Sequence, residues 1–378
     1  MRVLAAGVDS LYWSARCELS AYPELLAAKE AAVQGGAEAM PWVSVDGFSL
    51  SVLPRGKTGY PIALQCDEFR MYITDSRSRP TVYTQLRASF LQGEGGVEAA
   101  LDESFRVAAV IMSATLSTAH PSRVDLFADF AGWRLVHDDR RSVVTHAKVH
   151  SYARAGTEEL ETLQVGKSPL LVRLYRKDIE VAHKGGHAPL FWSGWTGPVT
   201  RVEAQVSSAR LRDFQFGDCR ELLTSTGDVW RYATSEFLEL REPGPGPREQ
   251  WRLRPEWQLV QETGMREFPA SGLVPYVVVR GRRDKVVAQL LGYLASYAAF
   301  DGIEDPRAVV ECLLAEFPDL VLPSRARTFA LEVLRRRALL PRAVRRLPRG
   351  LPPAGKDDHD RRTNLNNTNT TSPVGGDA

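Results

Sequence analysis

Ser122-Arg-Val-Asp-Leu-Phe-Ala-Asp-Phe130, Leu171-Val-Arg-Leu-Tyr-Arg-Lys-Asp-Ile-Glu180 and Val199-Thr-Arg-Val-Glu-Ala-Gln-Val206 are the segments on which the fold turns. In a strand, successive side chains point to opposite faces of the sheet. Read as strands, the first sends Val124, Leu126, Ala128 and Phe130 to one face and Asp125 and Asp129 to the other. The second opposes Val172 and Leu174 to Arg173, Tyr175 and Lys177, and the third opposes Val202, Ala204 and Val206 to Arg201, Glu203 and Gln205. If the three are neighbours, one face is core, and on the other carboxylates, a phenol and cations meet.

Working outward, further strands are expected at Val143–Tyr152 and Leu160–Gly166, with the tyrosine strand running from Leu170 to Ile179. Before Ser122, the pattern is a strand over Val8–Ala15, a helix over Pro23–Val33, several strands and a helix over Gly96–Ala114. From Leu222 it turns helical, with apolar residues at helical spacing through Gly227–Leu238, and Glu242-Pro-Gly-Pro-Gly-Pro-Arg-Glu249 punctuates a loop. Beyond Tyr276 two helical stripes, Val286/Leu290/Leu294/Tyr297 and Val309/Leu313/Phe317, read as core. The expected fold is α+β, with antiparallel sheet and flanking helices followed by a helical C-terminal region. The boundaries read as an N-terminal α+β domain over 1–115, a site-bearing domain over 116–260, a helical Arg-rich region over 261–349 and a disordered tail over 350–378.

A faint repeat crosses the first boundary. Val8-Asp-Ser-Leu-Tyr-Trp13 resembles Val124-Asp-Leu-Phe-Ala-Asp129, and Val82-Tyr-Thr-Gln-Leu-Arg-Ala88 resembles Val199-Thr-Arg-Val-Glu-Ala-Gln205. As a duplication, it sets Asp9 and Gln85 where the second copy has Asp125 and roughly Glu203, with the chemistry lost from the first copy. Chance likeness between strands is the competing reading.

The 378 residues are 44% hydrophobic and 25% charged, which is folded globular material. With a net charge of only +2, a polyanion-binding surface has to come from local clustering. Such a cluster lies between Arg325 and Arg349, where nine Arg, Arg335, Arg336 and Arg337 among them, face one acid, Glu332. Four scattered cysteines without ligand-like spacing suit unpaired thiols in a reducing cytoplasm, and no stretch reads as a membrane span. Gly166-Lys167-Ser168 is not a phosphate-binding loop, because Glu161 occupies the first glycine position and a strand follows.

Taken in order, Arg123-Val-Asp-Leu-Phe-Ala-Asp129, Val165-Gly-Lys-Ser-Pro-Leu-Leu-Val-Arg-Leu-Tyr-Arg-Lys-Asp-Ile-Glu180 and Arg201-Val-Glu203 resemble the replication initiation factor family. These are the rolling-circle initiators of plasmids and filamentous-type phages. The likeness spans roughly residues 120–260 and includes Gly227-Asp-Val-Trp-Arg-Tyr232 and Trp251-Arg-Leu-Arg-Pro-Glu-Trp257. Arg176 replaces the family's usual acid after the tyrosine.

The resemblance implies a site-specific nickase that cuts one strand of an origin, with Tyr175 as nucleophile, a 5′-phosphotyrosine link and a free 3′-hydroxyl primer. A phenol titrates near ~10, so it needs help to react at neutral pH. Lys177 and Arg173 are the expected cations. Asp125, Asp129 and Glu203 are the expected ligands of Mg2+ or Mn2+, since hard oxygen donors suit those ions and a bound cation polarises a phosphate. His146 and His150 are spaced unlike the metal-holding pair of other rolling-circle nickases. Arg201, Trp195 and the Arg335–Arg337 run are the expected DNA contacts, with stacking on Trp195 and phosphate contacts from the arginines. The implied partners are origin DNA, duplex and single-stranded, with a host helicase and a second copy of the chain as further partners. The rivals are a non-catalytic plasmid or phage DNA-binding regulator and a nuclease that activates water.

Overall fold

The structure is a computed structural model that describes residues 1–36, 38–154, 159–183, 189–265, 269–273, 275–316 and 333. Arg335, Arg336 and Arg337, and the tail over 350–378, lie outside the described residues.

The elements run β1 (Arg2–Ala15), α1 (Tyr22–Gln34), β2 (Met40–Val45), β3 (Phe48–Leu53), β4 (Ile62–Gln65), β5 (Phe69–Ile73), β6 (Val82–Leu86), α2 (Ala88–Leu91), α3 (Gly96–Met112) and β7 (His120–Ala131). They continue through β8 (Val143–Thr145), β9 (His150–Arg154), β10 (Leu160–Lys167), β11 (Leu170–Arg176), α4 (Lys177–His183), β12 (Val199–Ser207), α5 (Ser208–Asp213), α6 (Cys219–Leu223) and α7 (Thr226–Arg231). A single π-helical turn over Tyr232–Phe237 follows, then β13 (Leu238–Leu240), α8 (Pro255–Thr263), α9 (Tyr276–Asp301) and α10 (Pro306–Glu316). The protein is α+β, as expected.

Eleven strands form one antiparallel sheet in the order β2-β3-β4-β5-β6-β1-β7-β12-β11-β10-β9. β1 and β7 lie side by side at its centre, so both segments flanking residue 115 build the same sheet. Outward from β1 the order is β6, β5, β4, β3, β2; outward from β7 it is β12, β11, β10, β9. The first four strands of each flank follow the same path, and β2 extends the first flank by one.

Alternation sorts the faces as the sequence predicts. Val124, Leu126, Ala128, Phe130, Val172, Leu174, Val202, Ala204 and Val206 are buried in one core with Leu11 and Trp13 of β1 and the helices behind them. Trp13 places its indole N–H 3.0 Å from Ser104 Oγ of α3, so that helix is pinned as well as packed. A second indole pair knits the helical layer after β12: Trp230 donates to the Val260 carbonyl at 3.0 Å and Trp257 to the Thr234 carbonyl at 2.8 Å. All four cysteines are free thiols.

Three expectations need correction. The tyrosine strand ends at Arg176, and α4 begins at Lys177. Arg176, on the core face, is only 6% exposed and pairs with Asp178 (2.7 Å) and Glu159 (3.1 Å); Asp178 also accepts the Val199 N–H at 3.1 Å. This ionic clasp bends the chain into a helix. The predicted strand over Val143–Tyr152 is two strands: β8 pairs with β13 in a separate two-stranded sheet, and Thr145 Oγ1 donates to the Phe237 carbonyl at 2.7 Å. The stripe on α9 is not core. Val286 and Leu290 are 54% and 56% exposed, while Val309 of α10 is buried. Among the described residues no helix is long and apolar enough to cross a membrane.

Gly166 explains the sequence that mimics a phosphate-binding loop. It ends the β10 side of the hairpin at φ 87°, and a Cβ there would lie 2.6 Å from the Leu170 carbonyl oxygen. A left-handed conformation costs an L-residue roughly 1–2 kcal/mol before the clash is counted. Gly166→Ala is therefore expected to lower stability by at least about 1 kcal/mol, read as a reduced urea midpoint.

Candidate functional site

On the face opposite the core, β7, β12, β11 and β10 line a cavity of about 630 Å³ with Arg123, Asp125, Glu203, Arg173, Tyr175, Thr162 and Gln164. α4 adds Lys177 and Glu180, and β1 adds Asp9 and Ser10. The strand register places these groups, since Arg173 is opposite Glu203 and Gln164, and Tyr175 is opposite Arg201 and Thr162.

Tyr175 Oη donates to Glu203 Oε2 at 3.0 Å. Burial first, and then the Glu203 carboxylate, push the phenol far above its ordinary value, with Arg201 pulling the other way. Free Tyr175 is thus a protonated phenol with its proton aimed at a carboxylate. Arg173 also binds Glu203, through Oε1. Lys177 Nζ lies 5.6 Å from the Tyr175 ring centroid and 2.6 Å from Glu180. Both expected cations therefore flank the phenol while paired with acids.

The three expected metal ligands separate into two kinds. Asp125 and Glu203 face the cavity, on adjacent strands. Asp129 does not: it is fully buried, its Oδ1 accepts from Arg201 Nε (2.6 Å), and its Oδ2 accepts from Arg201 Nη2 (2.9 Å) and the Trp192 indole (2.8 Å). Tied into this buried pair, Asp129 is not on the cavity wall and so is not placed as a ligand there. Asp125 and Glu203 are anionic oxygen donors on the cavity wall, the type a hard divalent cation takes once Arg123, Arg173 and the Tyr175 hydroxyl give up their oxygens. Among the described residues no three His, Cys, Asp or Glu converge as a ready metal site.

Burial pushes the Asp125 carboxyl up to about 6; the Arg123 guanidinium, bound to both of its oxygens, opposes this and Glu203 adds to it. Asp125 is thus more easily protonated in the fold than in the unfolded chain.

Arg201, expected at a DNA surface, is instead 2% exposed. It grips Asp129, reaches Asp9 Oδ1 at 2.7 Å, and lies 4.1 Å from the Phe127 ring centroid. Trp195 is half-buried outside the cavity, with its indole on the Pro198 carbonyl (3.2 Å) and Arg2 5.3 Å from its ring. Asp9, which the repeat would set in a first copy lacking its chemistry, lies at the Tyr175 cavity. The signal that places it there is the pairing of β1 with β7, where Ser10 stands opposite Asp125 and Asp9 occupies the intervening bulge.

No family model matches the chain, and no curated protein matches it. Among solved structures, the rolling circle replication initiator protein from Geobacillus stearothermophilus is similar over 69% of this chain and 97% of its own, with 15% sequence identity and a TM-score of 0.43.

Removing one partner of a buried ion pair strands a charge, which costs about 3–5 kcal/mol. Arg201→Met is expected to destabilise the protein by about that much in urea unfolding, with Asp129→Asn in the same chain recovering part of the loss. The raised Asp125 value has a definite sign. Its contribution to stability is fully present below the unfolded value, about 4, and is lost as pH rises through about 6. Urea midpoints across this window should show that decline in wild type and lack it in Asp125→Asn.

Proposed function

We propose that the protein initiates rolling-circle replication by nicking one strand of an origin with Tyr175. The observation that carries this reading is the Tyr175–Glu203 hydrogen bond inside a cavity that also presents Asp125, Arg173 and Lys177. A buried phenol seeks some hydrogen-bond partner in any case, but here the partner is a carboxylate, the base within hydrogen-bond reach that a nucleophilic phenol needs. The ordered sequence set from Arg123 to Glu203 supports the same reading.

In the proposed step Tyr175 Oη attacks the scissile phosphorus and its proton passes to Glu203. The phosphorus–O3′ bond breaks, the 3′-oxygen takes a proton from solvent, and the 5′ side stays on the enzyme as a phosphotyrosine. Arg173 and Lys177 place positive charge beside the phosphate, where negative charge builds in the transition state. Mg2+ or Mn2+ bound at Asp125 and Glu203 would polarise the phosphate as a Lewis acid. Arg201 and Asp129 act below this layer, holding β12 and β7 so that Glu203 meets the phenol. Origin DNA is the proposed partner. The division of labour is a nickase built on residues 116–260 and completed by Asp9 from the first half.

The test is incubation of the full chain with its supercoiled replicon and Mg2+ or Mn2+, followed by a denaturing gel. Wild type is expected to give a covalent protein–DNA adduct and Tyr175→Phe none. Glu203→Gln should form the same adduct roughly 10²–10⁴ times more slowly, the usual worth of a positioned base. Nicking that persists in Tyr175→Phe without an adduct would mean activated water. Binding without cleavage on a replicon known to contain the origin would mean a regulator.

A further inference from the structure

The flank of the sheet built from the first half carries a register-matched counterpart of the Tyr175 site. On β11, Arg173 is opposite Glu203 and Gln164, and Tyr175 is opposite Arg201. On β5, Arg70 is opposite Gln85 and Gln65, and Tyr72 is opposite Tyr83. Arg70-Met71-Tyr72 thus stands where Arg173-Leu174-Tyr175 stands, with Gln65 for Gln164. One strand inward, Gln85 replaces Glu203, and Ser14, opposite Tyr83, replaces Asp129, opposite Arg201. The arginine is kept while the acids become neutral.

This exchange changes what the face can bind. Among the described residues, the Tyr175 cavity has five acids on its wall (Asp9, Asp125, Glu161, Glu180, Glu203) against four cations. A neighbouring cavity of about 270 Å³ has Arg70 and Arg87 against one acid, Asp9, together with Tyr12 and Gln85. The two cavities share Asp9, Ser10 and Ala88 on their walls, so they lie side by side across β1. Arg123 bridges them, binding Asp125 in the first while lying 4.9 Å from the ring centroid of Tyr12 in the second. Tyr83 holds Tyr12 edge-on at 6.1 Å. A cationic cavity with an aromatic wall and an amide suits a phosphodiester and its base.

We propose that the Tyr12–Arg70–Gln85 cavity is a nucleotide-binding subsite, in which Arg70 and Arg87 take a phosphate and Tyr12 stacks a base of the single strand that runs through the Tyr175 cavity. The subsite rests on the nicking reading for its substrate class. On this reading the first half contributes grip rather than chemistry, and the strand is held on both sides of the sheet's central pair, β1 and β7.

The test measures fluorescence anisotropy of a labelled oligo-dT on the full chain, beside adduct formation on the replicon. Tyr12→Ala combined with Arg70→Ala is expected to weaken oligo-dT binding roughly tenfold or more, as loss of one stacked base does. Tyr12→Trp should restore stacking and affinity, which a misfolded variant would not allow. Affinity unchanged in the double variant, or no oligo-dT binding by wild type, would overturn the subsite even if the Tyr175 adduct forms. Conversely, a tenfold loss with no adduct from wild type would leave the subsite standing and remove the nickase reading.

Discussion

The guanidinium of Arg201 ties three strands at the centre of the sheet, gripping Asp129 of β7 from β12 and reaching Asp9 of β1. Charges so buried are costly to desolvate, and such pairs add specificity more readily than raw stability. Here the specificity is register. Slipping β12 by one residue would send Arg201 into the core and Val202 onto the site face, and would carry Glu203 away from Tyr175. The Trp192 indole on Asp129 extends the lock to the loop before β12. Position of the phenol, identity of its acceptor and access to the cavity all follow from this knot.

Much of the sheet was legible because alternation is a local property. Val124 to Phe130, Val172 with Leu174, and Val202 to Val206 declare their faces without help from the rest of the chain. Tyr175, Asp125, Glu203 and Arg173 share a face for the same reason. Less legible was anything decided by partners distant in sequence. Arg176 resembles one more strand residue until Glu159 and Asp178 close around it and turn the chain. Arg201 and Asp129 look like exposed polar residues of a half-solvated strand, and their contacts with each other, with Asp9 and with the Trp192 indole make burial tolerable. The stripe on α9 has core-like spacing, but spacing alone does not say whether anything covers it.

Acid–base pairing sets the resting character of the site. Asp125 with Arg123, Glu203 with Arg173 and Lys177 with Glu180 leave the cavity nearly balanced in charge. Tyr175 stays protonated under burial; in the proposed nicking step, a phosphate would compete for the arginines that hold its neighbours. Freed of Arg173, Glu203 would become a better acceptor for the phenolic proton. The contacts that keep the proposed nucleophile protonated at rest are those a phosphodiester would rearrange.

The central position of β1 and β7 bears on how the chain is made. β1 can pair with β6 on one side once residue 86 has emerged, but its other edge has no partner until His120–Ala131 follows. An unpaired edge is a template for wrong pairing, and contacts between strands so far apart in sequence slow folding. During synthesis, therefore, the first half would wait with its innermost strand open, and arrival of β7 would both seal that edge and start the second half. Completion of the sheet and assembly of the site become one late event, because Asp9 meets Arg201 only when β12 is laid down. A nascent chain would have no competent cavity to expose to nucleic acid before its central seam had closed.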